Sequence, residues 1–98
     1  IDYNKWQATG RSQEIMELDP LAEKWKAFGW FVQEINGHNF SEIHDSFLNT
    51  KNKKDKPSII IANTIKGKGV SFMEDDNNWH YRTPNDEELE LALAELSL

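Results

Sequence analysis

The chain has 98 residues, 38% of them hydrophobic, a formal net charge of −6 and no cysteine. The acidic balance leaves no long basic face to neutralise phosphates, which argues against nucleic acid as the main partner, and the lack of cysteine excludes a disulfide framework or a thiolate metal site. No apolar run reaches membrane-spanning length and no signal-peptide pattern is present, so the default expectation is a soluble cytoplasmic protein.

Ile1-Asp2-Tyr3-Asn4 reads as the last residues of a strand. There is no initiator methionine, and a parallel α/β sheet usually needs more chain because each crossover takes a helix, so a fragment of something longer is expected. Asn4-Lys5-Trp6-Gln7 leaves the sheet and Gly10 marks a turn. Ser12 to Glu17 is a brief helical turn, with Ile15 and Met16 expected to face inward. Asp19-Pro20 predicts a helix start, aspartate as cap and proline in the first turn. Leu21, Trp25 and Phe28 follow at helical spacing, and Gly29 is the stop.

Trp30 to Ile35 is bulky and partly β-branched, hence a strand. Asn36-Gly37-His38-Asn39 ends it in a polar turn, and Ser41 is expected to cap a second helix with Ile43, Phe47 and Leu48 inward. Lys51 to Lys56 reads as a solvated, helix-ending loop. After the Pro57 to His80 stretch, Thr83-Pro84-Asn85 opens a final helix. Its first turn carries Asp86, Glu87 and Glu88 at the positive end of the dipole, and Leu89, Leu93 and Leu96 lie on one face.

Pro57 to His80 carries the chemistry. Ile59-Ile60-Ile61-Ala62 suits a strand covered on both faces, as in a parallel sheet, and such strands end in the crevice where ligands sit. Asn63-Thr64 follows, then Lys66-Gly67-Lys68-Gly69. Two glycines beside a lysine let backbone approach a phosphate while an ammonium supplies charge. Trp79-His80 is the other polar element able to face that crevice. The acidic run Glu74-Asp75-Asp76 is expected to be merely hydrated. His44 receives no role, and His38 is read either as a site residue or as making a structural hydrogen bond to a neighbouring loop. Trp25, Phe28, Trp30 and Phe31 are expected in the core.

Taken together, Asp2-Tyr3-Asn4-Lys5, Asp19-Pro20-Leu21-Ala22-Glu23-Lys24-Trp25, Phe28-Gly29-Trp30 and Ile35-Asn36-Gly37-His38 succeed one another as in transketolases. Thr64 to Glu74, Trp79-His80 and Pro84-Asn85-Asp86-Glu87-Glu88 continue the match. The chain most resembles the amino-terminal half of the bacterial split-subunit transketolases. The resemblance implies the later part of a doubly wound, mainly parallel-sheet α/β domain that binds thiamine diphosphate. The Gly-Asp-Gly half of the cofactor motif would lie upstream.

On that resemblance, the Asn4 side-chain oxygen and the Trp6 backbone carbonyl ligate Mg2+ or another divalent ion, a hard cation suited to oxygen ligands. Lys66 matches a lysine that approaches the cofactor in some members, where others carry an aliphatic residue. His80 matches a histidine contacting both the cofactor diphosphate and the sugar, and is the expected catalytic residue. The implied activity moves a two-carbon ketol unit from a ketose phosphate to an aldose. The implied partners are sugar phosphates, a pyrimidine-binding subunit or domain, and an oligomeric mate at whose interface the cofactor lies. Tyr81-Arg82 departs from the family's usual Gly-Lys, and Asn36, Asn39 and Asn63 also depart from common residues, which leaves the sugar open. A deoxyxylulose-phosphate synthase, a 2-oxo-acid dehydrogenase or a non-catalytic Rossmann-like module are the alternatives.

Overall fold

The computed structural model describes residues 1–97. Its elements run β1 (Asp2–Tyr3), β2 (Trp6–Gln7), β3 (Gly10–Arg11), α1 (Ser12–Ile15), α2 (Leu21–Ala27), β4 (Phe31–Asn36), α3 (Phe40–Asn52), β5 (Ser58–Asn63), a 3₁₀ turn (Asn77–His80) and α4 (Asp86–Leu96). The run of β-branched residues after Pro57 forms the central strand: the sheet order is β1-β5-β4 with both pairings parallel. Phe31 to Asn36 align with Ser58 to Asn63, and Tyr3 lies opposite Asn63, so three carboxyl ends finish level with one another. This is the α/β, mainly parallel arrangement expected from the sequence.

Alternation along β5 divides the two faces. Ile61, fully buried, packs with Tyr3 and Ala22, and Leu18, Leu21, Trp25 and Val32 close around them, so α2 covers one face. The other face receives α3: the Gln33 amide donates to the Ser46 carbonyl at 3.0 Å and to the Thr50 hydroxyl at 3.1 Å. A helix on each side of a parallel sheet is the doubly wound pattern.

Several local expectations are corrected. Asn39, not Ser41, caps α3: its side-chain oxygen accepts the N–H groups of Ser41 and Glu42, and Glu42 answers by accepting the Asn36 N–H. α3 also runs through Lys51 and Asn52, so the loop is shorter than expected. Phe47 and Leu48 are exposed, because the small residue Ser46 is what α3 turns onto the sheet. Asp19 makes no cap to α2; its carboxylate instead accepts the Tyr3 hydroxyl at 3.0 Å. Ile15 and Met16 point outward, since α1 is one turn long and packs through Ser12. Phe28 is 80% exposed, lying past the last turn of α2 just before Gly29 reverses the chain at φ +85°. In α4 the buried residue is Ala92, and Leu89, Leu93 and Leu96 are about half exposed. Its start is as expected: Asn85 and Glu88 form a reciprocal capping box.

Burial first, then the hydrogen bond to Asp19, pushes the Tyr3 phenol up to about 12 from its usual 10. Because the unfolded chain releases this proton at lower pH, the stabilisation is complete below pH ~10 and fades as pH rises towards ~12, by roughly 2 to 3 kcal/mol in all. Magnetic resonance of ring-labelled Tyr3, assigned with Tyr3→Phe, is expected to show that late midpoint. Titration at the ordinary value would contradict the burial argument.

Candidate functional site

The site is built at the level carboxyl ends of β1 and β5. Leaving β1, Asn4 makes an Asx turn in which its side-chain oxygen accepts the Trp6 N–H at 2.9 Å, and Lys5 takes a left-handed φ of 69°. β2 and β3 then pair antiparallel, Trp6 opposite Arg11. The Lys5 carbonyl accepts the Ser12 N–H at 2.9 Å. Opposed pairs alternate between bonded and non-bonded, so the Trp6–Arg11 pair is the non-bonded one and the Trp6 carbonyl points away from its partner strand. Asn4 Oδ1 keeps a second lone pair. An amide oxygen and an outward carbonyl two residues apart are hard, neutral ligands that fit part of a magnesium sphere. Among the described residues no cluster of three or more His, Cys, Asp or Glu side chains could hold a metal, and the carboxylate in the lining beside Asn4 is that of Asp2.

From β5 the chain passes Thr64, whose hydroxyl donates to the Asp2 carboxylate across to β1. The Ile65 N–H donates to His38 Nε2 at 2.8 Å, which requires the Nδ1–H tautomer. His38 therefore makes the structural bond that was one of its two readings. Gly67 sits at φ +73°, and a Cβ there would stand 2.4 Å from the Met73 carbonyl oxygen, so only glycine closes this turn.

Asn4 and Lys66 line one cavity of about 480 Å³, together with Asp2, His38, Thr64 and Gly67. Lys68 pairs with Glu74 at 3.1 Å, whereas Lys66 has no carboxylate partner among the described residues. Its ammonium is the charge left for an anion. His80 is not in that lining. It stands exposed on the 3₁₀ turn, with its ring edge-on to Tyr81 at 4.9 Å. The structure thus brings Asn4, Trp6 and Lys66 to one end of the sheet and sets His80 on a separate exposed turn.

The acidic run is not merely hydrated. Glu74 accepts the Gly69 N–H, and this bond, then Lys68, holds its carboxyl below the ordinary range. Asp76 caps the 3₁₀ turn through the Asn78 N–H. Asp75 accepts both guanidinium nitrogens of Arg11, at 2.7 and 2.6 Å, and the Trp6 indole N–H at 2.9 Å. The Asp-Asn-Asn spacing of Asp76 could have disclosed the cap. Nothing local could disclose a partner for Asp75 that lies 64 residues away.

A parallel sheet sandwiched by helices, with an amide oxygen, a backbone carbonyl and a lysine that has no carboxylate partner among the described residues at the carboxyl ends of neighbouring strands, defines an α/β domain with polar groups at the crevice where such sheets bind ligands. The chain belongs to the transketolase family: residues 1–97 match its "Transketolase, thiamine diphosphate binding domain". It is 50% identical over 95 residues to the 6-deoxy-6-sulfo-D-fructose transketolase subunit of a Clostridium species, covering 97% of this chain and 34% of that one. It is 40% identical over 97 residues to an apulose-4-phosphate transketolase subunit of Phocaeicola vulgatus, covering 99% and 34%. The transketolase of Campylobacter jejuni superposes with a TM-score of 0.84 at 28% identity, over 96% of this chain and 15% of that one. The chain thus spans about a third of the length of these two curated relatives. No helix among the described residues is long and apolar enough to cross a membrane.

Proposed function

We propose that this chain is the later part of the cofactor-binding domain of a cytoplasmic transketolase subunit, one that transfers a two-carbon ketol unit from a ketose phosphate, or a ketose bearing another terminal anion, to an aldose phosphate. The observation that carries this reading is the shared cavity of Asn4 and Lys66 at the ends of β1 and β5, in a chain of this family. Thiamine diphosphate, when bound, supplies the carbanion chemistry of the ketol transfer. Asn4 Oδ1 and the Trp6 carbonyl would supply oxygen ligands to a divalent ion, and the Lys66 ammonium would offset the negative charge of the diphosphate. His80 donates to a phosphate oxygen or exchanges a proton with a sugar hydroxyl.

Relatives named as subunits support a hetero-oligomer with a separate pyrimidine-binding chain. Their names also support an anion-bearing ketose, a sulfo group in one and a phosphate in the other. The test is to combine the full-length protein and its pyrimidine-binding subunit with thiamine diphosphate, magnesium, a donor (xylulose 5-phosphate or a sulfoketose) and aldose phosphates. Release of a shortened aldose with extension of the acceptor is expected. If no ketose yields transfer and the enzyme consumes a 2-oxo acid instead, the reading fails.

A further inference from the structure

The β2–β3 hairpin has two residues in each strand, too few to hold itself in water. It is held by the loop that leads to His80. The Asp75 carboxylate grips Arg11 bidentately and accepts the Trp6 indole N–H, and the Arg11 guanidinium lies 3.7 Å from the Trp6 ring centroid. The Asn77 amide donates to the Gln7 and Ala8 carbonyls, each at 3.1 Å, and the Tyr81 hydroxyl donates to the Ala8 carbonyl. The Asp75 N–H donates to the Lys66 carbonyl at 2.8 Å, which fixes the same loop to the glycine turn. Asp75 itself takes a left-handed φ of 57°, a conformation that aspartate and asparagine tolerate better than most residues.

We propose that Asp75, with Tyr81 closing the far end, is a clasp that orients the hairpin so that the Asn4 side chain and the Trp6 carbonyl face one divalent cation. Asp75 is then a positioning residue for the metal, and Tyr81, through its hydroxyl on the Ala8 carbonyl, serves the hairpin. A half-exposed ion pair adds little stability by itself. A bidentate fork that also stacks on the ring of a ligand-bearing residue restricts where that residue's carbonyl points, and supports of this kind behind a ligand typically change metal affinity 10 to 100-fold.

The clasp rests on the metal reading proposed above, and the experiment separates the two. In the full-length protein assembled with thiamine diphosphate and its partner subunit, Mn2+ binding is measured by electron paramagnetic resonance, and turnover is measured at saturating metal. Asp75→Asn keeps the left-handed backbone but loses the ion pair. It is expected to weaken Mn2+ binding about tenfold or more, with turnover at saturating metal near the parent's, and Tyr81→Phe is expected to act in the same direction but less. Arg11→Gln serves as a second variant should Asp75→Asn not fold, and combining the two should add nothing beyond either alone. If Asn4→Ala weakens Mn2+ binding while neither Asp75→Asn nor Arg11→Gln does, the clasp is overturned and the metal reading stands. If Asn4→Ala also leaves binding unchanged, both are overturned.

Discussion

Asn4→Ala is expected to lower magnesium-dependent retention of thiamine diphosphate by the assembled enzyme by about tenfold to a hundredfold, at least what loss of a ligand's outer support produces in metal sites. Two losses combine. The amide oxygen proposed to meet the cation disappears, and so does the Asx turn in which that oxygen accepts the Trp6 N–H and so directs the next carbonyl. Asn4→Asp separates them: it preserves the acceptor for Trp6 and adds a negative charge beside the cation, so retention should recover or exceed the parent's. Equilibrium dialysis at several magnesium concentrations measures this. Equal retention by parent and Asn4→Ala would remove the metal assignment from this residue.

His80→Ala is expected to reduce turnover by about a hundredfold or more, within the range of general acid–base assistance, while leaving magnesium-dependent cofactor retention close to that of the parent. The asymmetry follows from placement. Asn4 and Lys66 line the cavity at the sheet end, and His80 stands apart on an exposed turn, where a substrate can reach its ring. Steady-state kinetics with a ketose phosphate donor, run beside the dialysis measurement, distinguishes the two residues. Undiminished turnover would exclude His80 from the chemistry, and a parallel loss of cofactor would reassign it to binding.

Much of the frame is legible in the chain. Ile59-Ile60-Ile61 between Pro57 and Asn63 marks a buried strand, and Asn85 three residues before Glu88 marks a helix start, because both signals are local and periodic. Helical spacing in α4 shows which face is apolar, and Ala92 is the position on it that is covered. Two residues separate the expected cap of α3 from the observed one, since Ser41 and Asn39 are both good caps and the choice lies with Glu42, whose carboxylate reaches back to Asn36 and Asn39.

Residue order alone carries the parallel α/β class and the family, and it singles out Asn4, Trp6, Lys66 and His80. Strand pattern, turn chemistry and motif order are properties of neighbouring residues and survive in one dimension. The folded chain was needed to show that Asn4 and Lys66 share a cavity, that His80 lies outside its lining, and that Asp75 grips Arg11 and Trp6. Those relations join residues about 60 or more positions apart, and a contact of that separation exists only once the sheet has set its strand ends side by side.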